Sequence, residues 1–261
     1  MKKAISKIYI LIVMLFLYLP ILTLVVLSFN ESKSMAVFTR FSLKWYREML
    51  HSKAILSAIG NTFSIAILAA LIATAIGTMA VIGISSMKPK TQTVLLGFNN
   101  IPMLNADIVT GIALMLSFLM FGISLGYKTI LFSHITFCIP YVILSVLPRM
   151  NNNTGTLFEA ALDLGASRAY AFRKIVLPEL MPGITSGFLL SFTMSVDDFI
   201  ITHFTRGAGI NTISTLIYSQ VKVGIRPSLF ALSTLIFAVA LVALLIVNLN
   251  GRKTARAAIS S

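Results

Sequence analysis

Six apolar segments divide this sequence, at about residues 8–29, 55–84, 94–121, 129–147, 184–204 and 229–248. Their lengths are near or above the roughly 20 residues an α-helix needs to cross the hydrocarbon core of a bilayer. No water reaches backbone groups there, so each segment must pair its own N–H and C=O groups inside a helix. The expectation is an all-α integral membrane protein with six transmembrane helices. Composition agrees: 57% of residues are hydrophobic and 11% charged, against about 45–50% and 25% in an ordinary soluble domain. With connections, six spans use up the 261 residues as one transmembrane domain, 1–261, and leave nothing for a second, soluble one.

The net charge of +13 is spread thinly between apolar runs. It forms no stripe of the kind a nucleic-acid surface needs, so nucleic acid is not an expected partner. The single cysteine, Cys138, lies within an apolar run and builds neither a disulfide framework nor a thiolate metal cluster. Lys2, Lys3 and Lys7 precede the first apolar segment as they would in a secretory signal, but that segment is too long for an h-region and no clear cleavage site follows. It reads as an uncleaved first helix. Pro20 and Pro140 fall inside spans, where neighbouring helices satisfy the freed carbonyls, and Ala69, Ala73 and Gly77 form a small-residue ridge for close packing. An even number of spans puts both termini on one side. The loops of that side hold twelve Lys and Arg against nine on the other, a slight bias toward cytoplasmic termini.

The longest polar connection is residues 149–183, far longer than joining two helices requires. Residues 158–164 are good helix formers ending at Gly165, a natural C′ residue. Ser167 can cap a second helix running to Leu177 and stopped by Pro178 and Pro182. Glu159 and Asp163, four apart, give the first helix an acidic face suited to a basic groove on another protein. The alternative is a plain solvated loop.

Glu159-Ala160-Ala161, three residues, Gly165, nine residues, Ile175, one residue, then Leu177-Pro178 resembles the EAA loop of the membrane subunits of ATP-binding-cassette (ABC) importers. The stretches at 44–46, 131–138, 190–198 and 217–224 resemble the polyamine-importing permeases of that family. The resemblance implies a type I ABC importer permease fold and a location in the bacterial inner membrane with cytoplasmic termini. It implies that Glu159, Ala160, Ala161, Asp163 and Gly165 dock into an ATPase, and that the chain itself catalyses no reaction and carries no cofactor or metal. ATP and Mg then belong to the partner ATPase. The implied partners are a second permease subunit, two ATPase subunits, an external substrate-binding protein, a polyamine substrate and the lipid bilayer. One departure is Ala106 before Asp107, where the family pattern has a proline; the start of that helix is expected to shift, with Pro102 as the candidate position.

Asp107, Asp197 and Asp198 fall inside apolar runs, where a charge costs roughly 2.5–3.5 kcal/mol at a helix centre, so such residues face a cavity or a partner. Asp107 is 13 residues past Val94 and Asp197 is 13 past Ile184, which puts both at one level, roughly 20 Å up their helices. Adjacent helical residues point about 100° apart, so Asp197 and Asp198 share a cavity only if the helix is unwound there. The expected substrate-binding residues are Asp107, Asp198, Asp197 and Trp45. Separated carboxylates suit a multiply charged polyamine, and Trp45 and Tyr46 offer cation–π contact. In the other reading Phe41, Leu43, Trp45, Tyr46 and Met49 form an interfacial anchor, and each aspartate pairs with a neighbouring helix.

Residues 122–129, GISLGYKT, imitate both a phosphate loop and a serine-nucleophile turn. Tyr127 stands where a phosphate loop needs glycine, and the segment joins two membrane helices rather than a strand and a helix. A serine nucleophile at Ser124 would need a histidine base, yet His134 is ten residues on and His203 is on another span. The remaining alternatives are an importer of another cationic solute or metal complex, a proton-coupled secondary transporter, and a rhomboid-like intramembrane protease.

Overall fold

The computed structural model describes residues 2–34, 37–150 and 152–242. Among them the regular structure is helical apart from one isolated antiparallel bridge between Asn30 and Phe41. Four helical runs are long and apolar enough to cross a membrane: Ser6–Ser28, Lys53–Ser85, Tyr127–Arg149 and Arg168–Asp197. A fifth is the pair α4 (Pro89–Leu104) and α5 (Asp107–Met120) if its two halves count as one span. The sixth expected span, 229–248, begins in the apolar helix Ser228–Val242; its residues beyond 242 lie outside the described ones.

The chain divides into two compact units, residues 57–216 and a second made of 1–56 with 217–261. In the second, α1 (Lys2–Ser28) exposes apolar side chains all round, Leu11, Leu15, Phe16 and Leu22 among them, as a helix surrounded by lipid does. The following loop is organised by buried Asn30. Its amide donates to the carbonyls of Ser34 and Val37 and its Oδ1 accepts from the Thr39 N–H. The α2 helix (Lys44–His51) buries Trp45 and Met49.

In the first unit, α3 (Lys53–Ser85) buries Ala69, Ala73 and Gly77 as its ridge predicts; a Cβ on Gly77 would lie 2.7 Å from Val142 of α6 (Tyr127–Val146). A second ridge is stronger. Gly183, Gly187, Ser191 and Ser195, each four residues apart, are all buried along α9 (Leu177–Asp197). A Cβ on Gly183 would come within 2.9 Å of the Ser145 carbonyl oxygen and 3.0 Å of Val146 Cα. Such stripes let backbones approach where lipid supplies no hydrophobic drive for helices to associate. Around them Val81, Cys138, Val142, Val146, Val176 and Leu180 form the core.

Three expectations about the spans fail. The segment 94–121 is not one helix: Asn105 and Ala106 are extended (ψ 148° and 136°), and α4 and α5 bend by 102° there. Pro102 does not mark the new helix start, for it lies inside α4, and α5 begins at Asp107. The fifth span starts far before residue 184. Pro178 and Pro182 do not stop the helix that Ser167 caps, which runs on as α8 (Arg168–Ala171), a π turn Phe172–Val176 and α9. Pro178 has no N–H, and its ring would crowd the Lys174 carbonyl in a regular α turn; the wider turn just before it, closed by Leu177 N–H onto Phe172 C=O, absorbs the misfit. That same span ends at Asp197, and a new short helix, α10 (Ile200–Thr205), follows Asp198 and Phe199.

Ahead of α8, α7 (Asn152–Asp163) ends as its sequence predicts. Gly165 has φ +88°, its N–H bonds the Leu162 carbonyl, and the Ala166 N–H bonds that of Ala161. Ser167 Oγ then accepts from the Tyr170 N–H. Helix, left-handed glycine and serine cap follow one another as the sequence predicts and together make a knob at this loop.

Candidate functional site

Both breaks in the helices open onto one cavity of about 360 Å³. Asp107, Asp197 and Asp198 line it together with Phe137, Tyr141 and Phe199. The chain places each carboxylate differently. Asp107 is the first residue of α5, where the helix dipole favours an acid. Asp197 is the last residue of α9, where the same dipole opposes one. Asp198 is extended (ψ 128°), so the unwinding required for two adjacent aspartates to share a cavity is present.

The three carboxylates also differ in their partners. Asp107 and Asp197 are exposed, and among the described residues neither makes a hydrogen bond or ion pair. Asp198, with a side chain only 8% exposed, is held from all sides. It accepts the N–H groups of Ile201 (3.2 Å) and Thr202 (2.8 Å) and the Thr202 hydroxyl (2.7 Å), and lies 3.4 Å from His134 Nε2. A short polar side chain bonding the backbone ahead of it competes with helix continuation, which accounts for the break after Asp197. Asp198 is thus held by neighbouring helices and at the same time lines the cavity.

His134 is a packed residue, 1% exposed, with Nδ1 2.6 Å from Ser195 Oγ and Nε2 2.9 Å from Thr202 Oγ1. Serine, histidine and aspartate stand together here, yet Ser195 is 4% exposed, so no substrate reaches a nucleophile. Ser124 is exposed with its imagined base engaged elsewhere. The Thr129 hydroxyl accepts from Gly126 N–H and lies 2.8 Å from the Thr205 carbonyl, while a Cβ on Gly207 would sit 2.0 Å from the Leu125 oxygen. The segment is a tight packing turn.

Trp45 belongs to the other compact unit. It is 1% exposed, its indole N–H donates to the Asn30 carbonyl, and Lys44 Nζ lies 5.0 Å from its ring centroid. With the neighbouring Tyr46 hydroxyl on Ser28 Oγ, the segment is packed against the end of α1. Sequence reasoning missed His134, Ser195 and Thr202 as a group and the aromatic walls Phe137, Tyr141 and Phe199. The one local signal was Ser195 and Thr202 standing three before and four after Asp198.

The family profile described as "Binding-protein-dependent transport system inner membrane component" matches residues 77–256. The chain belongs to this family. It is thus a multi-pass membrane protein with the function of an ABC importer permease subunit, and the protease and secondary-transporter alternatives fall. The spermidine/putrescine transport system permease protein PotC of Escherichia coli K12 is 36% identical over 237 residues, 91% of this chain and 90% of that one. The putrescine transport system permease protein PotI of the same strain is 38% identical over 228 residues, 85% and 81% of the two chains. Among solved structures, a bacterial ABC transporter involved in the import of the acidic polysaccharide alginate superposes with TM-score 0.74 at 14% identity, over 96% of this chain and 95% of that one. A second alginate transporter structure, in complex with an alginate pentasaccharide-bound periplasmic protein, gives 0.67 at 18% identity, over 95% and 91%. At these identities the structures show a shared fold.

Proposed function

We propose that this permease translocates polyamines into the cytoplasm by alternating access. The observation that carries the reading is the pair of unpartnered carboxylates, Asp107 and Asp197, in a cavity walled by Phe137, Tyr141 and Phe199. Two separated negative charges suit the ammonium groups of a flexible polycation, and aromatic faces suit its methylene spacers and its charge. Asp198 adds a third, fixed charge. Among the described residues no group of three or more His, Cys, Asp or Glu is arranged to hold a metal ion, which favours an organic cation over a directly ligated metal.

In this reading Glu159, Ala160, Ala161, Asp163 and Gly165 present the knob to an ATPase subunit on the cytoplasmic side. One such site lies on this chain and one on a second permease subunit, and ATP and Mg are held by the two ATPases. Closure of the ATPases moves the knobs, opens the cavity outward and admits substrate from an external binding protein. The termini are cytoplasmic.

The test is purification of the assembled complex and measurement of radiolabelled spermidine and putrescine uptake in proteoliposomes with the binding protein. Saturable uptake of a polyamine that stimulates the ATPase supports the proposal. Stimulation by another cationic solute, and none by polyamines, overturns the substrate class.

A further inference from the structure

The interior group formed by His134, Ser195 and Thr202 meets the cavity wall at Asp198, by hydrogen bonds, and at Phe137, whose ring lies 5.2 Å from that of His134, and its hydrogens can be accounted for. The Thr202 hydroxyl donates to Asp198 Oδ2 at 2.7 Å, and a hydroxyl has one proton to give. Its 2.9 Å contact with His134 Nε2 is therefore one in which Thr202 accepts, so Nε2 carries a proton. Ser195 Oγ lies 2.6 Å from Nδ1 and has no other hydrogen-bond partner among the described residues. A buried hydroxyl proton needs an acceptor, and Nδ1 is that acceptor when the ring is neutral. The result is a one-way relay, Ser195 to His134 to Thr202 to Asp198, that ties α9, α6 and α10 together at the break beside the cavity.

We infer that His134 is a positioning residue for substrate: as a neutral imidazole it fixes the Asp198 carboxylate against the cavity, through Thr202 and by its own Nε2 at 3.4 Å, without cancelling its charge. A lysine or arginine in its place would hold the carboxylate as well but would neutralise it. The wall would then lose one of three negative charges facing a polycation. A wholly apolar neighbour would keep the charge and lose its direction. The neutral imidazole reconciles the two needs, and its 1% exposure keeps it from competing for substrate. The inference rests on the reading of the cavity as the cation site, and the experiment separates the two.

The measurement is polyamine uptake by the complete complex with its binding protein, expressed per assembled complex. His134→Phe keeps a ring and removes both nitrogens; Thr202→Val removes only the relay hydroxyl; His134→Gln restores a neutral donor near the Nε2 position. Loss of a hydrogen bond to a charged group predicts a KM about tenfold higher for His134→Phe and Thr202→Val, with a much smaller change in maximum rate. His134→Gln is expected to recover most of the affinity. Because His134 acts through Asp198, His134→Phe added to Asp198→Asn should change KM no further. Unchanged KM in both His134→Phe and Thr202→Val, independent multiplication of the His134 and Asp198 effects, or loss of complex alone with normal uptake per complex would each overturn the inference. Should His134→Phe fail to assemble, Thr202→Val decides. Asp107→Asn and Asp197→Asn run alongside. If these two leave uptake intact, the cavity reading itself fails; if they impair it while the relay variants do not, only the relay fails.

Discussion

Asp197 stands at the carbonyl end of α9 with no partner among the described residues, and Asp107 at the amide end of α5. An acid at a helix C-terminus is disfavoured and one at an N-terminus favoured, each by about 0.3–1 kcal/mol. Replacement by Asn should therefore split in sign for stability and agree for transport. Asp197→Asn is expected to raise the melting temperature of the purified complex slightly, and Asp107→Asn to lower it slightly, while uptake per complex falls severalfold in both. Thermal unfolding beside radiolabelled uptake checks this. A fall in stability for Asp197→Asn would mean that its carboxylate has a structural partner. Which aspartate is free was not legible in the sequence. Asp197 and Asp198 are identical neighbours in one apolar run, and only the turn of the chain at ψ 128° ties one into an interior network at the cavity wall and leaves the other in the cavity without a partner.

Between elements, closeness is set by what lies opposite each glycine. A Cβ on Gly183 meets the Ser145 carbonyl oxygen at 2.9 Å, and backbone does not yield, whereas a Cβ on Gly60, also helical, meets nothing within 4 Å. Gly183→Ala should cost about 1–3 kcal/mol by overpacking and lower the yield and melting temperature of the folded permease. Gly60→Ala should be neutral or stabilising by up to about 1 kcal/mol through helix propensity. Equal effects of the two in a detergent melting series would show that α6 and α9 do not meet at Gly183. At the knob, Gly165 holds φ +88°. An L-residue there is strained by roughly 1–2 kcal/mol, and proline, fixed near −65°, cannot adopt it. Gly165→Ala is expected to weaken, and Gly165→Pro to abolish, both co-purification of the ATPase and uptake. Retention of both activities in the proline variant would remove the knob from the coupling mechanism.

At the scale of the whole molecule the sidedness of the loops can be read chemically, because the one cysteine, Cys138, is buried. Ser124 and Lys88 are exposed on connections that the proposed topology puts on opposite sides of the membrane. A membrane-impermeant maleimide should label Ser124→Cys in intact cells and Lys88→Cys only after permeabilisation, with uptake preserved in Ser124→Cys. The opposite pattern would invert the topology, and loss of uptake in Ser124→Cys before labelling would give residue 124 a role that its place in an exposed turn does not suggest.

Apolar length and local chemistry by themselves determined much of this protein. They set the long helices, the ridge at Ala69, Ala73 and Gly77, and the end of α7 at Gly165, because helix length, side-chain size and a left-handed turn are properties of contiguous residues. The same holds for the EAA loop and the polyamine-permease stretches, which are patterns in sequence. Only the tertiary structure decided that 94–121 is two helices and that the helix from Arg168 runs through two prolines to Asp197. It also decided that Trp45 is buried and that His134 meets Asp198 both directly and through Thr202. Those outcomes depend on groups brought together from 15 residues apart, as Trp45 and Asn30, to 68, as His134 and Thr202, or on whether a bend finds partners for the carbonyls it frees. Spacing along one chain carries no record of either, since a buried polar group is satisfied by whatever the fold brings to it.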